Sequence, residues 1–165
     1  MTDGVVAARR LLGAAAVLAL LAVALGLVTQ HGFDMQPCPW CVLQRLELVV
    51  IALAAALAWL WRSRGGLRVS AALVIALANL GVLSALWQHF VAASSASCNL
   101  TLADRIIGAL QLDRLLPDVF AATASCADAK ADLLGVPYEF WSLALFVVLE
   151  ALAVWAVLRA APRSA

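Results

Sequence analysis

Four apolar runs, Leu11–Val28, Val42–Trp61, Val69–Trp87 and Phe140–Leu158, leave this chain few folds to choose from. Each is long enough to cross about 30 Å of hydrocarbon, which takes roughly 20 residues as helix. With no water inside a bilayer, every backbone N–H and C=O in these runs must be paired within its own segment. The expected fold is therefore an all-α membrane protein: four transmembrane helices in one up-down antiparallel bundle covering residues 1–165. Composition agrees, at 65% hydrophobic and 13% charged residues with a mean hydropathy of +1.00. No basic stripe or nucleic-acid motif is present, which argues against a nucleic-acid partner.

The first run follows Arg9 and Arg10, as a signal peptide would. Its apolar core spans 18 residues, longer than the usual h-region of about 7–15, and ends at Val28-Thr29-Gln30-His31 with no small-x-small cleavage site. It reads as a retained first span. Arg9, Arg10, Arg62, Arg64, Arg68, Arg159 and Arg163 flank the spans on one side. The positive-inside rule makes that side cytoplasmic, with both termini there. Asp34, Asp104, Asp113, Asp118, Asp128 and Asp132 fall opposite, in loops at about 30–41 and 90–138, with Glu139 directly after the second. The short connector Arg62–Arg68 suits an antiparallel helix pair. The long loop carries Ala103, Ile106, Ile107 and Leu110 at helical spacing, predicting a short amphipathic helix that either lies flat on the lipid interface or packs on the bundle.

All four cysteines fall in the two outer loops. Cys38-Pro39-Trp40-Cys41 stands at the start of the second run, and Cys98 and Cys126 lie in the long loop. Pro39 suits a first helical turn, so both sulfurs of the close pair sit where free N–H groups and the helix dipole favour thiolate. Arg45, four residues after Cys41, lies one turn deeper on the same face. There its charge either stabilises a thiolate or a developing oxyanion, or snorkels to a headgroup. Structural zinc wants a second close-spaced cysteine pair, whereas Cys98 and Cys126 are 28 apart. Haem attachment needs His at position 42, where Val42 stands. Redox chemistry and loop-bracing disulfides remain. Glu47, Asn79 and Glu150 lie within spans, as functional groups or as helix-to-helix hydrogen bonds. Trp40, Trp87 and Trp141 near one boundary, and Trp59, Trp61 and Trp155 near the other, read as aromatic belts.

These segments together resemble the disulfide bond formation protein B (DsbB) family. The resemblance rests on Gln30-His31, Pro37-Cys38-Pro39-Trp40-Cys41-Val42-Leu43-Gln44-Arg45, Gln88-His89 ahead of Cys98, Leu116–Phe120, Ser125-Cys126-Ala127-Asp128, Leu134-Gly135 and Pro137 with Trp141. It implies a quinone reductase of the bacterial inner membrane that reoxidises a periplasmic DsbA-like thiol oxidase. It implies disulfides Cys38–Cys41 and Cys98–Cys126, with Cys98 meeting the partner and Cys41 passing two electrons to ubiquinone, or menaquinone. Arg45 would stabilise the reduced quinone oxygen, and His89 would line the same pocket. The alternatives are a vitamin K epoxide reductase-like protein, a relative dedicated to one thiol partner, or a structural membrane protein with braced loops.

Overall fold

The computed structural model describes residues 3–61, 63–94, 101–129 and 132–161. Four long helices carry it: α1 (Asp3–Phe33), α2 (Pro39–Leu60), α3 (Arg64–Phe90) and, last in the chain, α7 (Tyr138–Ala160). Between α3 and α7 lie a 3-10 turn (Ala92–Ser94), the short helices α4 (Leu102–Ala109), α5 (Leu112–Leu115) and α6 (Pro117–Phe120), and strands β1 (Asp132–Leu133) and β2 (Val136–Pro137). All four long helices are long and apolar enough to cross a membrane. At 22 to 31 residues they measure about 33–47 Å, so their ends project beyond the hydrocarbon. This is why α1 begins at Asp3 and runs to Phe33, well outside the apolar run that announced it.

The helices form a closed ring in which α1 packs on α2, α2 on α3, α3 on α7 and α7 back on α1. Between them the bundle is filled largely by alanines, among them Ala8, Ala15, Ala55, Ala71, Ala78 and Ala153, all fully buried. Small side chains let helix backbones approach closely, which substitutes for the hydrophobic drive that lipid removes. The larger apolar residues point outward: Leu21, Leu25, Leu53, Leu83, Val147 and Leu158 are exposed, the inverse of a water-soluble bundle. Ser70 Oγ donates to Ala54 O at 2.5 Å, tying α3 to α2. The in-span acids find partners on neighbouring helices. Ser84 Oγ donates to Glu47 Oε2 at 2.8 Å, and Asn79 Nδ2 donates to Glu150 Oε1 at 3.0 Å.

Local chemistry sets the helix boundaries. Ser63 caps α3, accepting from Gly66 N at 2.9 Å, and Cys38 caps α2 with Pro39 in its first turn. In the long loop, Thr101 and Asp104 form a reciprocal capping box that starts α4. Leu134 and Gly135, both at positive φ (57° and 77°), close the two-residue turn between β1 and β2, the pattern that two-residue hairpins favour.

The loop is richer than the single amphipathic helix expected. α4 does form at Leu102–Ala109, and it packs on α2 by burying Ala103 and Ile107 while Leu102 and Leu110 stay exposed. α5 and α6 follow because Pro117 breaks the pattern and restarts a turn, and Phe120 then packs with Val42 and Ile107. Trp40 departs from the belt reading. It is only 7% exposed, packed in the core beside Cys38, Leu43 and Ala103 with its ring 6.2 Å from that of Trp87.

One tight contact limits the bundle. A Cβ added at Gly81 would lie 2.3 Å from the ring of Phe146, itself fully buried between α3 and α7. Gly81→Ala is expected to cost about 1–3 kcal/mol through overpacking. A thermal melt of the detergent-solubilised chain checks this, and a melting point equal to the parent's would contradict the close approach.

Candidate functional site

The antiparallel ring brings the C-termini of α1 and α3 and the N-termini of α2 and α7 to one end of the bundle. Cys38, Cys41, Cys126, Arg45 and His89 all lie there. Cys98 falls outside the described residues, so its position carries no argument.

The first turn of α2 organises the sulfur atoms. A helix start leaves backbone N–H groups without intrahelical partners. Here Cys41 N donates to Cys38 Sγ at 3.2 Å, and the Trp40 N–H is directed at Cys126 Sγ. Cys38 is fully buried and its thiol donates to Cys126. The loop is strapped in place by Thr123 N and Ala124 N, which donate to Pro37 O at 3.0 and 3.3 Å. Thr123 Oγ1 adds a bond to Gln36 Oε1 at 2.6 Å. Thus Cys126 is seated beside Cys38 by backbone on both sides.

The thiols of that pair are not equivalent. The hydrogen bond from Cys38 holds Cys126 below the ordinary thiol value, against partial burial and the charges of Asp104 and Glu139. Donating that bond, together with the neighbouring Cys41 and burial, pushes Cys38 up. Cys126 is the readier thiolate. Cys38, Cys41 and Cys126 stand as free thiols in this structure, which is the reduced form of the expected Cys38–Cys41 pair. The expected Cys98–Cys126 pair involves a residue outside those described.

Cys41 lines a cavity of about 580 Å³. Ala22 and Val23 of α1, Leu48 of α2 and Leu145 of α7 give it apolar walls, and Cys41, Gln44, Arg45, Gln88 and Tyr138 supply polar groups, as do Thr29, Asp34, Gln36, Asp128 and Ser142. Such a ratio, mostly apolar with a few convergent polar groups, is that of a small-molecule site. Arg45 is 7% exposed. Its Nη1 donates to Gln30 Oε1 at 2.9 Å and to Val119 O. Gly26 stands opposite, where a Cβ would lie 3.7 Å from Arg45 Nη2. The guanidinium is thus fixed by α1 and by the loop, with its remaining N–H groups on the cavity side. Gln30 Nε2 and His31 Nε2 both reach Asp118 O, at 3.4 and 3.1 Å.

Two amides missed by the sequence reading complete the wall. Gln44 Nε2 donates to Gln88 Oε1 at 2.7 Å, and Gln88 Nε2 approaches Cys41 Sγ at 3.4 Å. The signal was present, since Gln44 is an amide in an apolar run, three residues past Cys41. His89 differs from its expected place. Its Nδ1 pairs with Glu139 Oε1 at 2.7 Å, its ring packs on Phe90 and Phe140, and it is not among the residues that line the cavity. The neighbouring residue Gln88 faces the cavity instead. Among the described residues no cluster of three or more His, Cys, Asp or Glu has metal-site geometry.

A bundle of four membrane-spanning helices with a cysteine cluster at one end, next to an apolar pocket, defines a multi-pass membrane protein built for thiol chemistry. The family model "Disulfide bond formation protein DsbB" matches residues 8–156, and the chain belongs to that family. It is 31% identical to the Disulfide bond formation protein B of Polaromonas naphthalenivorans over 158 residues, 94% of each chain. It is 34% identical to that of Ralstonia nicotianae, covering 87% of this chain and 90% of the relative. It is also 34% identical to that of Aromatoleum aromaticum, covering 81% and 82%. The chain is accordingly an integral membrane oxidoreductase of disulfide bond formation, acting with a periplasmic thiol partner.

The asymmetry between the two thiols is measurable. In the fully reduced protein, iodoacetamide labelling followed by mass spectrometry should give Cys126 a pH midpoint below the ordinary thiol value of about 8.5, and Cys38 one above it. Only the thiolate is alkylated, so a lowered pKa extends reactivity to lower pH. Cys38→Ala removes the donor and should move the Cys126 midpoint upward. Coincident midpoints in the parent protein would rule out the hydrogen-bonded pair.

Proposed function

We propose that the chain is a protein-dithiol:quinone oxidoreductase of the bacterial inner membrane, with its arginine-rich end and both termini in the cytoplasm. It reoxidises a DsbA-like, thioredoxin-fold protein and delivers the electrons to ubiquinone, with menaquinone as the alternative acceptor. The observation that carries this reading is the shared wall of Cys41, Arg45 and Gln88 in one apolar cavity, one helical turn from a Cys38–Cys126 contact.

The thiol steps balance as exchanges. A partner thiolate attacks Cys98 of a Cys98–Cys126 disulfide, and Cys126 leaves as thiolate. The partner's second thiolate then releases Cys98 and departs oxidised. Cys126 attacks Cys38 of a Cys38–Cys41 disulfide, expelling Cys41 as thiolate, and Cys98 displaces Cys38 from Cys126 to restore the outer disulfide. In that step Cys38 carries no proton, and the Trp40 N–H directed at Cys126 Sγ is what favours Cys126 as the attacking thiolate. The Cys38–Cys41 dithiol now holds the two electrons, and a quinone takes them with two protons.

The residues fit such an acceptor. A quinone ring is flat and apolar, with two carbonyl oxygens to be met by donors. Arg45 offers a fixed cation whose charge favours electron density on a quinone oxygen, and Gln44 and Gln88 hold Cys41 in position. Lipid access suits an acceptor that diffuses in the bilayer. The partner-facing role of Cys98 and the quinone role of His89 rest on the family resemblance alone. The Glu139 pair of His89 assigns it a positioning part beside Gln88.

Purified protein given a reduced DsbA-type partner and a short-chain ubiquinone should turn over, and Cys41→Ser should abolish quinone reduction. Cys98→Ser should stop partner oxidation. Arg45→Ala should raise the quinone KM about 10- to 100-fold, since a hydrogen bond to a charged group contributes about 1.5–3 kcal/mol. Undiminished turnover in Cys41→Ser defeats the scheme.

A further inference from the structure

At the end of the bundle away from the cysteines, α1 and α7 enclose a second cleft of about 530 Å³. Arg10 from α1 and Arg159 from α7 line it together with Trp155, Val6 and Leu11, and Asp3 is its one acidic group. Arg159 is stacked over the Trp155 ring, its guanidinium carbon 5.3 Å from the centroid. Among the described residues neither arginine forms an ion pair, with Asp3 or any other carboxylate. The adjacent residue Arg9 is only 7% exposed, and among the described residues its Nε and Nη2 have no hydrogen-bond partner. The N-terminus of α1 adds the positive end of its dipole.

The cleft is built by a close approach. A Cβ on Gly4 would lie 2.3 Å from Arg159 O, so only glycine lets the first turn of α1 meet the last turn of α7. That contact sets the spacing of two guanidinium groups from opposite ends of the chain. Above Arg10 the apolar run begins at Leu11, so the cleft straddles the boundary between headgroups and acyl chains.

We propose that this cleft binds the phosphate of an anionic membrane phospholipid, with Arg10 and Arg159 as its donors and Trp155 and Leu11 against the glycerol and upper acyl segments. Arginine meets phosphate oxygens with paired N–H donors. The walls on the membrane side are apolar, which favours a lipid over free phosphate. Two guanidinium groups to one carboxylate leave a surplus of positive charge, so an anionic headgroup is preferred to a zwitterionic one. The buried Arg9 strengthens that field without touching the cleft.

The test uses the full-length protein in neutral detergent, titrated with phosphatidylglycerol, phosphatidylcholine or inorganic phosphate. Native mass spectrometry reads the bound lipid, and the melting point reads stabilisation. Phosphatidylglycerol should saturate at about tenfold lower concentration than phosphatidylcholine and raise the melting point. Arg10→Gln/Arg159→Gln should lose that tenfold preference, since each basic residue near the surface contributes to it. Arg64→Gln/Arg68→Gln, at the same end but on α3, should keep it. Should the first double variant fail to fold, the exposed Arg10→Gln alone carries the test with a loss of roughly fivefold. Equal binding of the two lipids overturns the proposal, as does an equal loss in the α3 variant, which would mean general surface charge. Displacement of the lipid by millimolar inorganic phosphate would assign the site to a free anion and overturn it too.

Discussion

Everything at the cysteine end depends on how the first turn of α2 satisfies its unpaired N–H groups. Most helices use an oxygen from Ser, Thr, Asp or Asn. This one uses sulfur twice, Cys38 for the Cys41 N–H and Cys126 for that of Trp40. A cap is normally a local device, but here the second acceptor comes from a loop far along the chain. Capping α2 and docking the loop are therefore one event. The same hydrogen bonds that start the helix bring two reactive atoms together at the positive end of its dipole. Pro39 makes this possible, because it removes an N–H that sulfur would otherwise have to share.

The helical repeat then separates two tasks. Cys38 precedes the helix and turns toward the loop, while Cys41, three residues on, faces the cavity with Gln44 and Arg45 below it. In the proposed reaction, one exchange between adjacent sulfurs would carry reducing equivalents from the loop to this apolar pocket, with no moving domain. Arg45 is steadied by Gln30 and by Val119 O, so α1 and the α6 turn both report on the pocket. The Gln30-His31 and Leu116–Phe120 motifs meet at Asp118 O, which lies 88 and 87 residues from Gln30 and His31, for the same reason. Their joint presence in the sequence reflects one contact.

Much of this was legible in the sequence, and what was not has a physical cause. Apolar runs and arginine flanks define four spans and their common ends, because a bilayer enforces helix and length. The α2 start was readable from Pro39. Helix ends beyond the lipid were not, since there water, caps and neighbours decide rather than hydropathy. The loop gave up α4 through its spacing but not the turn of α6, which depends on Phe120 finding Val42 and Ile107. Trp40 reads as an interfacial tryptophan until the loop covers it. His89 and Gln88 are adjacent and both polar, and only the helix rotation decides that Gln88 meets Cys41 while His89 meets Glu139. Contacts between distant segments leave no periodic trace.

Polar groups within the apolar part of the bundle divide into two kinds, and the difference is informative. Glu47 and Glu150 each accept from a side chain on α3, Ser84 and Asn79. Such pairs satisfy one another and pin helix rotation, so their presence in a span needs no ligand to explain it. Arg9 is different, since two of its buried nitrogens have no acceptor among the described residues. A guanidinium buried without a partner is costly, and the neighbouring Arg10 and Arg159 also lack carboxylate partners among the described residues. At the cysteine end, by contrast, the buried Arg45 has its acceptors within the protein. The surplus of unpaired positive charge therefore sits at the arginine end, where an anion from the surrounding membrane offsets what the chain itself does not.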